Sequence, residues 1–548
     1  MIADVFIFLK KYPIAIAILT IGWLVNLSLV LPINAHLGHD TYWHMALMSV
    51  AFKTFPPQVP TFAGVTLQGY NYLLDYIMYL ISLIGIPVVY VYLIVMPLLY
   101  LILMTLLVTY FAMRFNKSIY FVGPFLFFTF LATPFSYLLS FYRRGSLFYG
   151  YHYPTAMQSS TALTNMAYAM TLPLIFGVLI ILQNKKKSLK EVFILGLLVA
   201  LAFGIKFYGG VVISFIIFFH LLLELIETKK IGRVILQSMI VIVPAGLSVL
   251  FFYDPFSSVK TGSIFGFSPL STVHPLIENP DGLYIPYFVM ARYTLEEAGG
   301  FSPRLMAIEL FTIALYIFYN AGCRFIGFFT IGKRILMKQV TKLEITMITT
   351  IIFSATISMF FVQKGGDWWN TVQFFGYALL FLNFFAALFF YEISKKNILL
   401  KGILYFLIII LTLPLNIELV MRSLQHIGKQ ADVNMYELKA LEFLKKQEDG
   451  VVFTIPVMYE TSYVSALSEQ RVYYGDENVL SNIGVDYKSR KNSLLDLQKF
   501  NLDKIEVKYL YILKQHKNYR FVARKFKSAE KYMKIFENRE VIIYRKQK

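Results

Sequence analysis

Residues 12–31 read YPIAIAILTIGWLVNLSLVL and contain no charged side chain. About 20 apolar residues in a helix match the roughly 30 Å hydrocarbon core of a bilayer. Lys10 and Lys11 precede this stretch and no small-residue cleavage site follows, so we interpret it as a retained anchor rather than a cleaved signal peptide. The whole chain has the same character, because 57% of its 548 residues are hydrophobic and only 15% are charged. The sequence therefore predicts an integral membrane protein.

Basic residues are concentrated between the apolar runs and in the C-terminal part. Four basic loops occupy residues 184–190, 229–233, 333–342 and 395–401, and the positive-inside rule places such loops in the cytoplasm. Membrane topology thus accounts for much of the net charge of +19, and we expect no nucleic-acid partner. The single cysteine, Cys323, excludes an intramolecular disulfide and is expected to be a buried thiol.

Apolar runs long enough to cross a membrane as helices lie at residues 12–31, 118–141, 165–183, 234–252, 304–330, 343–361, 371–391 and 402–420. Residues 72–113 are interpreted as one crossing plus a re-entrant or interfacial segment, broken near Gly85. Residues 192–223 are interpreted as two short helices joined by residues 204–210. The predicted fold is mainly α, a polytopic membrane protein with about 11 transmembrane helices. Its N-terminus is expected in the cytoplasm.

The composition changes after residue 420, where charges become dense. Short strands are predicted at residues 450–456, 508–513 and 541–544, and helices at 437–446 and 493–500. Residues 421–548 are therefore predicted to form a small soluble α/β domain outside the cell. Residues 1–420 form the predicted transmembrane domain, with extracytoplasmic loops at 32–71 and 253–303.

The first long loop contains GHDTYWHMAL at residues 38–47. From Thr41 its apolar residues predict a short amphipathic helix at the membrane interface, with Asp40 or Thr41 near the N-cap. Asp40 has two compatible interpretations: it caps this helix, or it acts as general base toward a hydroxyl acceptor. Candidate substrate contacts beside Asp40 are His39, Trp43 and His44.

A long first extracytoplasmic loop that opens with an acid, many spans and a soluble C-terminal domain together resemble the GT-C superfamily of membrane glycosyltransferases. Two stretches also resemble a prokaryotic membrane family that is labelled as related to 6-pyruvoyl-tetrahydropterin synthase. They are GHDTYWH at residues 38–44 and FPPQVPTFAGVTLQGYNYLLDY at residues 55–76. The resemblance implies that Asp40 is the catalytic acidic residue of this loop. It also implies a polyprenyl-phosphate-linked sugar donor and a single displacement with inversion at the anomeric carbon.

The first loop contains no DxD pair, which departs from the metal-dependent oligosaccharyltransferases of that superfamily. We therefore expect a metal-independent mechanism without a cofactor. A divalent cation held weakly by His39, Asp40 and His44 stays an alternative, although this spacing makes a poor helical chelate.

A departing lipid phosphate needs cationic partners. Lys206, in GIKFYGG between two short apolar helices, is costly in lipid and is expected to face a polar cavity. Arg143 and Arg144 are equally well interpreted as phosphate holders or as anchors to lipid headgroups. Arg292 is the remaining candidate.

Residues 363–370, QKGGDWWN, form another short outward loop. Its paired tryptophans, Trp368 and Trp369, are typical of an interfacial aromatic belt. The alternative is a sugar platform, in which one indole stacks on the sugar ring while Asp367 or Asn370 bonds its hydroxyls and Lys364 lies beside them.

The sequence thus predicts a multi-pass glycosyltransferase of a prokaryotic cell membrane, acting on a glycan, lipid or protein acceptor. Two other functions stay open: a transporter or flippase of lipid-linked glycan, and a non-catalytic protein of cell-envelope assembly.

Overall fold

The structure is a computed structural model. It describes residues 1–31, 33, 37–148, 156–255, 265–299, 302–363, 368–393, 398–426, 433–455, 460–494, 506–514 and 531–547.

The described helices are, in chain order, α1 Ile2–Lys11, α2 Pro13–Ser28, α3 His39–Ser49, α4 Leu73–Ser82, α5 Val88–Tyr90, α6 Met96–Phe115, α7 Ile119–Leu131, α8 Ser136–Arg144, α9 Met166–Leu182, α10 Leu189–Ile205, α11 Phe207–Thr228, α12 Ile231–Tyr253, α13 Pro275–Glu278, α14 Pro286–Glu297, α15 Pro303–Ala321, α16 Ile326–Leu336, α17 Lys342–Phe360, α18 Trp368–Ile393, α19 Ile398–Gln425, α20 Met435–Lys445, α21 Ser462–Ser468, α22 Glu477–Asn482 and α23 Lys488–Leu494. A π-helical turn, Val91–Val95, joins α5 to α6, and short 3₁₀ turns lie at Ala51–Lys53, Ser159–Thr164 and Gly322–Phe325.

The described strands are β1 Phe265–Phe267, β2 Phe361–Gln363, β3 Val451–Ile455, β4 Arg471–Val472, β5 Tyr509–Leu513, β6 Tyr532–Glu537 and β7 Val541–Lys546. β1 and β2 pair antiparallel, with Gly266 opposite Val362. The other five form one mixed sheet in the order β4-β3-β5-β7-β6. Within it β3 is parallel to β4 and β5, and β7 is antiparallel to β5 and β6.

The chain divides into two compact units. The first unit comprises Met1–Val30, Pro97–Val249 and Gly262–Gln425, and the second comprises Leu31–Met96, Leu250–Thr261 and His426–Lys548. The predicted mainly helical membrane fold with a small α/β part is confirmed. The strands predicted at 450–456, 508–513 and 541–544 are β3, β5 and β7. The predicted helix at 437–446 is α20, whereas residues 495–500 lie outside the described part of the chain.

Membrane-spanning helices are recognised here by length and composition. Among the described residues, seven helical segments are long and apolar enough to cross, and two bent pairs raise the number to nine. The predicted count of about 11 exceeds this because several runs are broken or short. The helix at 165–183 is Met166–Leu182, one of the shorter apolar helices. The region 72–113 contains the ten-residue α4, about 15 Å long, and a single long helix, Val88–Phe115, which agrees with one crossing plus a short segment.

Breaks in the other runs have local causes. The pair α7 and α8 bends by 50° where Pro134 follows the end of α7 and disfavours helical backbone at Thr133. The run predicted at 304–330 is broken after α15 because Gly322 has a φ of +53°, a conformation that favours glycine. The two helices predicted in 192–223 do meet at Lys206, but α11 is long enough to span alone.

Helix α18 is the central element of the first unit, since it packs against α7, α16 and α17 and most of its apolar residues are buried. Helices α10 and α17 each begin with a capping box, Ser188 with Glu191 and Thr341 with Glu344, in which the two side chains bond each other's backbone N–H groups. Both boxes lie at the ends of basic loops, so the same residues end the loop and start the helix.

The core of the second unit joins the first loop to the C-terminal sheet. Trp43, Leu47 and Phe62 pack in one cluster with Phe453 and Leu510 of the sheet. The backbone continues this contact, because the N–H of residue 472 donates to the Pro60 carbonyl at 2.8 Å. The first loop and the C-terminal segment therefore fold as one body.

We expect Gly69→Ala to destabilise the second unit more than Gly64→Ala. Both glycines have positive φ, +70° and +86°, and a side chain in that region costs on the order of 1–2 kcal/mol. Only at Gly69 would a Cβ also meet backbone, the carbonyl oxygen of Ile483 at 3.0 Å. Thermal unfolding of both variants in detergent measures the difference, and equal losses would contradict the packing of this loop on α22.

Candidate functional site

Helix α3 carries Asp40 in its first turn and is buried from Thr41 onward. Gly38 is the N-cap and has no side chain to offer, so neither Asp40 nor Thr41 occupies the capping position. Asp40 is exposed, while every side chain from Thr41 to Val50 is buried or nearly so. The predicted amphipathic helix at the membrane interface is therefore wrong. The helix packs against α21, an element more than 400 residues later in the chain.

A buried ion pair joins α3 to α4. The Nδ1 atom of His44 lies 2.6 Å from Oδ1 of Asp75, and the two side chains are only 7% and 2% exposed. The His44 ring is also stacked on Tyr92, with centroids 5.3 Å apart and planes at 22°. The sequence interpretation placed His44 among substrate contacts and missed Asp75. The available clue was that Asp75 lies in the stretch 55–76, which carries the family resemblance.

The pKa of Tyr70 is affected by two nearby carboxylates. Burial raises the pKa of its phenol well above the usual value, and the negative charges of Asp75 and Asp40 raise that pKa further. Both carboxylates therefore act on the same phenol. Tyr70 contacts Trp43 edge to face, with centroids 5.9 Å apart. Trp43 itself is 2% exposed, so its indole belongs to the core rather than to a surface that a substrate could reach.

A pocket of about 250 Å³ borders the first turn of α3 in the second unit. It is lined by Leu37, Gly38, Tyr42, Val433, Glu437, Glu460, Ser462 and Tyr463. Glu437 accepts hydrogen bonds from the hydroxyls of Tyr463 at 3.0 Å and Tyr511 at 3.2 Å. Burial and the Glu437 charge both raise the pKa of Tyr463. Because Gly38 and Tyr42 flank Asp40 in the chain, this pocket offers polar groups beside the exposed carboxylate.

A second polar cluster lies in the first unit around Gln363. Its Oε1 accepts a hydrogen bond from the Tyr208 hydroxyl at 3.2 Å and another from Asn370 Nδ2 at 2.6 Å. The Nζ atom of Lys206 lies 5.7 Å from the centre of the Tyr208 ring. Two residues predicted from separate motifs, Lys206 and Asn370, thus belong to one cluster. Tyr208 and Gln363 stand directly beside them in the sequence but were not predicted.

Aromatic rings enclose this cluster. Tyr208 lies 5.1 Å from Phe374 and 6.4 Å from Phe265, measured between ring centroids. Phe207 adds a further ring beside Phe265. A lysine among aromatic faces and amide groups can attract an anion while the rings shield it from water.

The predicted arginines are engaged within the protein. Arg143 donates from Nε and Nη2 to the carbonyl oxygens of Gly282 at 2.9 Å and Leu283 at 2.6 Å. Arg144 lies 3.5 Å from the Asp281 carboxylate. Each guanidinium therefore has a structural partner, and the proposed phosphate contacts of Arg143 and Arg144 stay predictions.

Arg292 is buried and forms ion pairs with Glu278 and Glu296, so two carboxylates already compensate its charge. Lys364 and Asp367 lie outside the described residues. So do the side chains of His39, Trp368 and Trp369, of which only the backbone is described as helical. Their predicted roles stay predictions.

The described side chains do not form a metal centre. No group of three or more His, Cys, Asp or Glu residues converges within the described part of the chain. His44 and Asp75 direct their nearest donor atoms at each other, at 2.6 Å, rather than toward a shared point beside Asp40. The alternative of a divalent cation held by His39, Asp40 and His44 includes the His39 side chain, which lies outside the described residues, so this alternative stays a prediction.

Comparison with known proteins identifies the fold. No protein-family model matches the chain, and no curated protein matches it, so the resemblance to the 6-pyruvoyl-tetrahydropterin synthase-related family stays a prediction. Solved structures of the oligosaccharyltransferase of Archaeoglobus fulgidus are similar to it. The apo form has a TM-score of 0.51 at 12% identity, over 91% of this chain and 69% of that one.

Two further structures of the same archaeal enzyme match. Its complex with Zn and sulfate has a TM-score of 0.52 at 13% identity, over 96% of this chain and 73% of that one. The form tethered to an acceptor peptide with an NVT sequon has a TM-score of 0.50 at 12% identity, over 99% and 75%. At this identity the likeness shows the fold alone: this chain folds like the oligosaccharyltransferase of Archaeoglobus fulgidus over most of its length.

We expect Arg143→Lys to lower the melting temperature by about 2 °C more than Arg144→Lys does. A lysine cannot reproduce the fork by which Arg143 bonds successive carbonyls, whereas Arg144 has a single long contact to Asp281. Thermal unfolding in detergent gives the comparison. Equal melting temperatures would show that the Arg143 bonds contribute nothing measurable.

Proposed function

We propose that this protein is a membrane glycosyltransferase of GT-C type. It transfers a sugar from a polyprenyl-phosphate-linked donor to an extracytoplasmic glycan, lipid or protein acceptor. The observation that carries this proposal is Asp40, an exposed carboxylate on an otherwise buried helix, bordered by a pocket with further oxygen groups. The GT-C-type fold supports the reaction class.

The reaction needs one base and one stabilised leaving group. The acceptor hydroxyl oxygen attacks the anomeric carbon while the bond from that carbon to the phosphate oxygen breaks. Asp40 takes the hydroxyl proton, and the polyprenyl phosphate leaves with the bonding electron pair. A phosphate is already a good leaving group, so a second carboxylate acting as acid is not required. The single displacement inverts the anomeric configuration.

Lys206 is the proposed partner of the departing phosphate. A lysine among the rings of Tyr208 and its neighbours interacts with an anion more strongly than a lysine in water, because the local dielectric constant is lower. The amide groups of Gln363 and Asn370 offer additional hydrogen bonds to phosphate or sugar oxygens. Arg143, Arg144 and Arg292 are further candidates, and each is bonded within the protein.

The acceptor is expected to bear a hydroxyl or an amide group. One similar structure of the archaeal oligosaccharyltransferase holds an acceptor peptide with an NVT sequon, which makes a peptide a first candidate to assay. The pocket beside Asp40, with Ser462 and Glu460 in its wall, provides hydrogen-bonding groups for a hydroxyl-bearing or amide-bearing acceptor.

Asp40→Asn is expected to reduce turnover about 10²- to 10⁴-fold, the usual contribution of a positioned general base. The assay is transfer of radiolabelled sugar from a panel of polyprenyl-phosphate donors in reconstituted membranes, at equal amounts of folded protein. Asp449→Asn removes another exposed acid of the second unit and should leave turnover unchanged. Unchanged turnover in Asp40→Asn would end its role as base. No transfer by the wild type from any donor would favour a glycan transporter or an assembly protein instead.

Lys206→Met is expected to raise the donor KM about 10- to 100-fold, the equivalent of one lost charge-assisted bond to phosphate. Lys206→Arg keeps the charge and should recover most of the affinity. The matched control is Lys190→Met, which removes an exposed lysine in the preceding helix α10. An unaltered donor KM in Lys206→Met would exclude this lysine as the phosphate partner.

A further inference from the structure

The buried pair of His44 and Asp75 lies on the helix that presents Asp40, yet the reaction as proposed does not use it. Both side chains are almost completely inaccessible, and Leu74 and Met78 of the same helix α4 are buried as well. Burying two charged or polar groups here costs desolvation energy that their mutual attraction offsets only with good geometry. Apolar side chains of similar size could fill the same space, so stability alone does not account for the pair.

The His44–Asp75 pair adds a polar contact between α3 and α4 to the apolar packing of α3. Asp75 holds the Nδ1 edge of the imidazole at 2.6 Å, while Tyr92 covers one face of the ring. The ring is therefore constrained both along its edge and across its plane. A carboxylate on one ring nitrogen also fixes which nitrogen carries the proton.

Asp40 is one helical turn before His44. Residues four apart lie on the same face of a helix, with Cβ atoms about 5–6 Å apart. A rotation or slide of α3 at His44 would therefore carry Asp40 with it. The shared influence of Asp40 and Asp75 on Tyr70 is consistent with both carboxylates being close to the same phenol.

We propose that Asp75 is a positioning residue for Asp40 and acts through His44, an inference that rests on the glycosyltransferase function proposed above. Asp75 anchors the imidazole of His44, and the anchored imidazole sets the orientation of the first turn of α3. The pair also sets the electrostatic environment of the Asp40 carboxylate. An error of about 1 Å in the position of a catalytic group can cost about 10²-fold in rate. Asp75 itself does not touch the substrate.

A double-mutant cycle tests this role. Asp75→Asn alone is expected to lower kcat about 10- to 100-fold, the usual effect of removing a carboxylate that orients a functional histidine, with little change in donor KM. In the Asp40→Asn background the same substitution should lower the residual rate no further, because residues that act as a unit are not additive. A merely structural role would instead give independent, multiplicative losses.

The matched control is Glu224→Gln, which breaks another buried ion pair, Lys187 with Glu224 at 2.9 Å and with side chains 1% and 5% exposed. It should reduce the folded yield but act multiplicatively with Asp40→Asn. If Asp75→Asn does not fold, His44→Asn replaces it in the cycle, because its amide can still donate to Asp75 while the ring is lost.

The outcomes separate this inference from the proposed function. An active wild type with an inactive Asp40→Asn and a fully active Asp75→Asn would overturn only the positioning role, as would multiplicative losses in the cycle. A wild type without transfer from any donor would overturn the glycosyltransferase function, and the role of Asp75 in it. A loss of kcat in Asp75→Asn that is absent in the Asp40→Asn background would support both the positioning role and the glycosyltransferase function.

Discussion

Burial of α3 is the constraint on which the second unit depends. Helix α3 contains two histidines, a tryptophan and two methionines, and it packs against α4 and α21. The contact with α21 joins segments that are more than 400 residues apart in the chain. This arrangement leaves Asp40 as the exposed group of the helix and turns its neighbour His44 inward, so packing and candidate chemistry have the same origin.

Buried charges in this protein are consistently compensated. Arg324, fully buried where α15 ends, donates to the carbonyl oxygens of Ala321 and Asn320 and to Gln158, and thereby satisfies carbonyls released by the broken helix. Lys187 is paired with Glu224, and Arg292 with two carboxylates. Lys206 lies beside the aromatic ring of Tyr208, with its Nζ atom 5.7 Å from the ring centre.

Much of the fold could be predicted from local pattern. Apolar runs predicted, to within a few residues, the helices α2, α9, α12, α17, α18 and α19. Short strand patterns predicted β3, β5 and β7. Broken runs were harder, because Gly322 and Pro134 act through backbone geometry that hydropathy does not register. The interfacial helix was predicted wrongly because its covering element, Ser462–Ser468, is remote in sequence. Asp75 was missed although it lies in the stretch 55–76 that carries the family resemblance, because no residue beside it indicates a partner on α3.

The sequence by itself determined that this chain is a helical membrane protein with an α/β part, because length and hydropathy of each run are local properties. It also singled out Asp40 and Lys206, since charged groups in apolar surroundings are conspicuous without a structure. Only the tertiary structure decided that His44 pairs with Asp75, that Trp43 is a core residue, and that Asn370 joins Lys206 through Gln363 and Tyr208. Those relations depend on long-range contacts, such as His44 with Asp75 across 31 residues and Tyr208 with Gln363 across 155 residues, which packing creates and no local pattern encodes.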